Sequence, residues 1–204
     1  VVYKKPPVFF ISKLKRQKMT QYNQLNLSNR ALQIVKQNSI LSLDEDSKEA
    51  LAVNFLYFQV KNQVLSSYYW KCSTLSISLN LKSNKDNSYL YALDLPSNFI
   101  ASVKSGNNYV IKSSKIYSNS ETIKLTYIAN ITEEELDLYI IDYFIYKLAL
   151  ELSYSFINDL TFVNYLRNIA EEKFKIATNI DSKNNYNNDF YNNENLSKLW
   201  VNLK

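Results

Sequence analysis

The sequence predicts an α+β fold: a four-helix body, a small antiparallel β-sheet inserted between helices 2 and 3, and an extended C-terminal tail. Three observations carry this expectation. Apolar residues recur at three- and four-residue steps on both sides of the chain's middle, the signature of helices with one buried stripe. Across residues 73–128 the period falls to two, which marks strands with one buried face. Beyond residue 181 the chain becomes Asn-rich and too polar to fold alone.

The first helix is expected over residues 21–37, with Leu25, Leu32 and Val35 on one stripe and Asn38-Ser39 ending it. The second is expected over 47–67. Asp46 and Glu49 are spaced as a capping box, and acids suit the positive end of the helix dipole. Ala50, Val53, Tyr57, Val60 and Val64 form its stripe, and it stops before Trp70. Leu75, Ile77, Leu79 and Leu81 then alternate with Ser76, Ser78 and Asn80, a strand pattern. Residues 84–88 read as a polar turn, and Tyr89–Leu95 as a strand stopped by Pro96. Phe99–Val103 and Tyr109–Ile111 flank Gly106, the chain's one glycine, as a hairpin would. Lys115–Tyr117 and Thr122–Ile128 complete the expected sheet.

Thr132 and Glu135 are spaced as a second capping box, so a third helix is expected over 133–155. It is apolar on nearly every side, which predicts deep burial. Asn158 or Asp159 caps a fourth helix over 159–179, with Val163, Leu166, Ala170, Phe174 and Ala177 as its stripe. Residues 19–181 form the expected domain.

Charge is unevenly placed. Residues 1–18 carry six basic side chains (Lys4, Lys5, Lys13, Lys15, Arg16, Lys18) and no acid. The other 186 residues hold 18 basic and 19 acidic side chains, a net of −1. The pI of about 9.0 therefore belongs to the N-terminal extension. Met19-Thr20 reads like a start, so residues 1–18 are expected to be an upstream extension of the reading frame and a disordered basic arm. A tethered arm touching nucleic acid or a partner is the alternative.

Several chemistries are excluded. The chain has no histidine, which removes Ser-His-Asp and Cys-His catalysis and histidine metal sites. One glycine cannot build a P-loop or a dinucleotide loop. Cys72 is the single cysteine, so there is no intrachain disulfide, and it reads as a small buried hydrophobe. Asp44-Glu45-Asp46 and Glu133-Glu134-Glu135 could hold a divalent cation. Both runs sit at expected helix starts, where acids are favoured anyway. The expectation is no enzyme, no cofactor and no metal. The tyrosines interleaved with lysines read as core or interface packing rather than base stacking. No apolar run reaches the ~18 residues needed for a membrane span, so a soluble protein assembled in the cytoplasm is expected.

Asn29-Arg30-Ala31-Leu32 on the first helix precedes Ile40 and Leu43-Asp44-Glu45. Ala52-Val53-Asn54 follows on the second, with Tyr57 and Val60, and leads to Trp70-Lys71-Cys72. Tyr89-Leu90-Tyr91 leads to Leu95-Pro96, Thr126-Tyr127-Ile128 ends the sheet, and Leu148-Ala149, Ala170 and Ala177 mark the last helices. In this order the features resemble the tail tubular protein A family, the head-to-tail adaptors of short-tailed bacteriophages. The resemblance covers residues 20–181. Ser97-Asn98 stand where the family often has an acid after Leu-Pro, and Gln37-Asn38 where it has glycine.

The resemblance implies a structural virion protein of the tail or neck. It implies a ring, typically of about twelve copies, docked beneath the portal protein. The helical part packs side by side, the sheet faces a tail nozzle or other tail protein, and double-stranded DNA passes transiently through the lumen. Residues 182–204 carry aromatics in a polar context, so Tyr186, Phe190, Tyr191, Leu199 and Trp200 are the expected anchors on the portal or a neighbouring subunit. The alternatives are another phage or mobile-element structural protein, or a nucleic-acid-binding module using the basic arm.

Overall fold

Asn23 begins the first helix by local chemistry: its side-chain oxygen accepts from the Asn26 backbone N–H at 2.8 Å. In this computed structural model, the residues described are 22–84, 88–103 and 108–192, with side chains described through 184. Among them are four helices, α1 (Gln24–Ile34), α2 (Lys48–Ser66), α3 (Leu138–Phe156) and α4 (Leu160–Asn192). Seven strands are found among the described residues between α2 and α3: β1 (Thr74–Asn80), β2 (Lys82–Ser83), β3 (Tyr91–Asp94), β4 (Phe99–Ser102), β5 (Tyr109–Lys112), β6 (Lys115–Ser118) and β7 (Thr122–Ala129). The α+β architecture with an inserted antiparallel β region is as expected.

The chain divides into two compact units: Val1–Val64 with Thr132–Ala177, and Leu65–Ile131 with Thr178–Lys204. In the helical unit, α3 is the central element. Nine of its apolar side chains from Ile140 to Leu152 are buried, because partners surround it: α1 packs against it, Tyr57 of α2 meets Phe144 edge-on, and Phe174 of α4 meets Tyr143. Burial of this kind stabilises by about 1.5–3 kcal/mol for each large apolar side chain.

α1 closes with a Schellman turn. Gln37 N–H donates to the Leu32 carbonyl and Lys36 N–H to that of Gln33. Lys36 takes φ 57°, where glycine would be unstrained. Asn29 then clamps the outgoing loop, accepting from Ile40 N–H at 2.8 Å and donating to the Ile40 carbonyl at 2.9 Å. A lysine and an asparagine thus build the turn without the glycine.

The second unit holds two sheets, not the single sheet expected: β1-β7-β4 and β2-β3-β6-β5. The strands flanking Gly106 do not pair with each other. β4 pairs with β7 and β5 with β6. Gly106 itself lies outside the described residues. The tight hairpin is β5–β6, where Lys112 and Lys115 are in register across Ser113-Ser114 and Ser113 supplies the positive φ of 54°. Trp70 is fully buried, and its carbonyl accepts from Ser73 and Thr74 N–H to lead the chain into β1.

Several helix boundaries move. α1 is Gln24–Ile34 rather than 21–37, set by the Asn23 cap and the turn at Lys36. At α2 the side-chain cap is Ser47, whose hydroxyl accepts from Ala50 N–H, rather than an Asp46–Glu49 box. The Thr132–Glu135 box forms on the Glu135 side, with Thr132 N–H donating to the carboxylate at 2.8 Å. It closes a turn, not the helix: Asp137 is extended (ψ 148°), and α3 starts at Leu138. Asp159 does cap α4, accepting from Thr161 N–H at 2.8 Å. α4 runs on to Asn192, so helix occupies the first part of what composition presents as an extended tail. Asp181 explains part of this. It is fully buried on α4, and its carboxylate accepts from Lys71 N–H at 3.3 Å.

Candidate functional site

α2 has two apolar faces. The inner face carries Ala50, Val53, Tyr57, Val60 and Val64, each at most 2% exposed. The outer face carries Leu51, Phe55 and Phe58, which are 63%, 79% and 55% exposed. At about 100° per residue, these three fall within an arc of about 60°. Between Leu51 and Ser66 the one charged residue is Lys61, and it is buried. The remaining exposed positions are Asn54, Gln59, Asn62, Gln63 and Ser66. A solvated helix face normally carries charge. Depletion of charge with enrichment of aromatics is the composition of an interface centre.

The inner face fixes this outer one. Lys61 Nζ lies 2.9 Å from Glu133 Oε1, and the Tyr57 hydroxyl donates to the same oxygen at 3.1 Å. Burial pushes the Glu133 carboxyl up, but Lys61 and the Tyr57 hydrogen bond outweigh it and hold the group below its ordinary value. Burial first, and then the Glu133 charge, push the Tyr57 hydroxyl far above its ordinary value, so it remains a neutral donor. The Tyr57 ring also meets Phe58 edge-on, with centroids 5.6 Å apart. The exposed Phe58 is thereby held by a buried neighbour.

The α3–α4 groove is of another kind. It has a volume of about 310 Å³ over an aromatic floor of Tyr143 and Phe174. It is lined by charged groups with local partners: Lys147 pairs with Glu151 at 2.7 Å, and Arg167 donates to the neutral Tyr154 hydroxyl at 3.1 Å. That hydrogen bond raises Arg167 further above an already high value.

The expected anchors are not brought together in the described part. Tyr186, Phe190 and Tyr191 fall on the backbone of α4 with side chains outside the description, and Leu199 and Trp200 lie outside the described residues, as does the basic arm 1–18. The acidic runs have local duties. Glu45 accepts from Leu41 N–H at 2.8 Å, which lowers its pKa, and Glu133 binds Lys61. Among the described residues no group of three potential metal ligands assembles. No described helix is long and apolar enough to cross a membrane. The Leu51, Phe55 and Phe58 face escaped the sequence reading although its four- and three-residue spacing was there to see. The stronger stripe on the same helix accounted for the burial.

The two units also differ in charge. Residues 22–64 and 132–177 hold 8 basic and 13 acidic side chains, a net of −5. Residues 65–131 hold 7 basic and 3 acidic, a net of +4. No protein-family model matches the sequence, and no curated protein matches it.

Proposed function

We propose that this chain is a structural subunit that packs side by side with its own copies into an adaptor ring, joining a phage portal to the tail of the virion. The observation that carries this reading is the apolar outer face of α2, which carries no exposed charge from Leu51 to Ser66. Leaving Leu51, Phe55 and Phe58 in water forgoes burial worth about 1.5–3 kcal/mol per side chain. A second copy or the portal would recover it. The order of sequence features that resembles the adaptor family supplies the identity of the assembly. The helical unit provides the lateral contact, the sheet unit faces the tail, and DNA passes through the lumen.

The test is to mix the full chain with the portal protein of the same genome and image the particles by electron microscopy. The reading predicts an added ring layer beneath the portal. Bare portals beside a monomeric chain would overturn it.

A further inference from the structure

The four-stranded sheet has two unlike faces. On one, the register sets Tyr91, Ser118 and Tyr109 in one row and Leu93, Ile116 and Ile111 in the next. Ile116 and Ser118 are 0% and 1% exposed, so this face is turned inward. The other face sets Lys82, Ala92, Tyr117 and Val110 in one row and Asp94, Lys115 and Lys112 in the next. Tyr89 joins it from the loop before β3: its ring lies 5.8 Å from that of Tyr117, and Lys112 Nζ sits 5.3 Å from its centroid. Among the described residues, three lysines and two half-buried tyrosines therefore share one outward face with a single carboxylate. That carboxylate, Asp94, is 3.9 Å from Lys115, and the two side chains are 79% and 52% exposed, so water screens the pair.

We infer that this outer face binds single-stranded nucleic acid, with Lys82, Lys112 and Lys115 on phosphates and the Tyr117 ring against a base. The net charge of +4 over residues 65–131 supplies the complementarity to a polyanion. Aromatic rings beside lysines on an open sheet suit bases free to stack. Geometry selects a single strand over a duplex. Four strands span about 14 Å at ~4.8 Å per step, wider than the ~12 Å major groove. The inference does not rest on the ring reading, and either can fail without the other.

The test measures fluorescence anisotropy of a labelled twelve-nucleotide oligothymidine with the full chain at about 50 mM salt. A hairpin duplex is the comparison probe. The single strand is expected to bind more tightly than the duplex. Affinity is expected to fall with salt, and Lys82→Ala/Lys112→Ala/Lys115→Ala to make that slope shallower by about 2, at ~0.7 per phosphate. The triple substitution should weaken binding at least 10-fold at the lowest salt. These lysines are exposed, so the fold should survive their loss. Tyr117→Ala should weaken binding about 5-fold or more while leaving the salt slope unchanged. Lys4→Ala/Lys5→Ala/Lys13→Ala in the arm should retain the preference for the single strand. Unchanged binding by the sheet triple variant, tighter binding to the duplex, or no binding by the native chain would overturn the inference.

Discussion

The helical unit and the sheet unit offer opposite surfaces to their surroundings. The first is acidic, at −5 over its described residues, yet one of its helix faces carries no charge at all from Leu51 to Ser66. The second is basic, at +4 over residues 65–131, and places lysine beside tyrosine on the outward side of a sheet. Averaged over residues 19–204 these charges cancel to −1, and the chain looks bland. Net charge is informative about partners only after the fold has divided it. The two proposals follow this division: protein packing for the first unit and an anionic partner for the second.

The largest expected effect strikes the helical unit from within. Lys61→Ala leaves the half-buried Glu133 beside Tyr57 without its cation and should cost about 3 kcal/mol of stability, the low end for a broken buried pair. Urea unfolding would read this as a lower midpoint with an unchanged slope. An unaltered midpoint would mean the pair does not hold α2 in place. Phe55→Glu strikes the same helix from outside. It should weaken assembly at least 30-fold, because burying an unpaired charge at an apolar interface costs several kcal/mol. Monomer stability should shift by no more than about 0.5 kcal/mol, as expected for an exposed site. These two substitutions, about 1.7 turns apart on one helix, separate folding from assembly.

Acid titration sharpens the comparison. The Glu133 pKa lies below its ordinary value of 4.5, so its contribution to stability is complete above that pH. The contribution is lost as pH falls from there through the lowered value. Glu133→Gln should therefore be less stable than the native chain at neutral pH, with the difference narrowing below about pH 4.5. A difference constant across that range would contradict the ion pair. The smallest effect is a gain. Lys36→Gly relieves the positive φ at the end of α1 and should stabilise by about 0.5–1 kcal/mol, seen as a modest rise in Tm.

Much of the architecture was legible because local physics fixed it. The stripe on α2 and the alternation of β1 each have a period that only one element satisfies, and the apolar run of α3 is too long for a strand. Pairing was less legible. A glycine between two strand-like runs suggested a hairpin, but β4 and β5 belong to different sheets, and the tight turn uses Ser113 instead. Turn chemistry shows where a chain can reverse, not which strands it then joins. The length of α4 was hidden because an Asn-rich composition argues for loop, whereas Asp181 is held by a tertiary contact to Lys71. The outer face of α2 was hidden for a related reason. Once one stripe explains a helix, a second apolar stripe is read as noise, and exposure is what separates them.

The central claim is that the outer face of α2 joins copies of this chain on a portal. Mass photometry of the portal mixed with the native chain, and in parallel with the Phe55→Glu chain, tests it most directly. The account predicts that the native chain adds the mass of many 23.9 kDa copies to each portal and that the substituted chain adds little or none. Equal added mass from both chains, or none from the native chain, would contradict it.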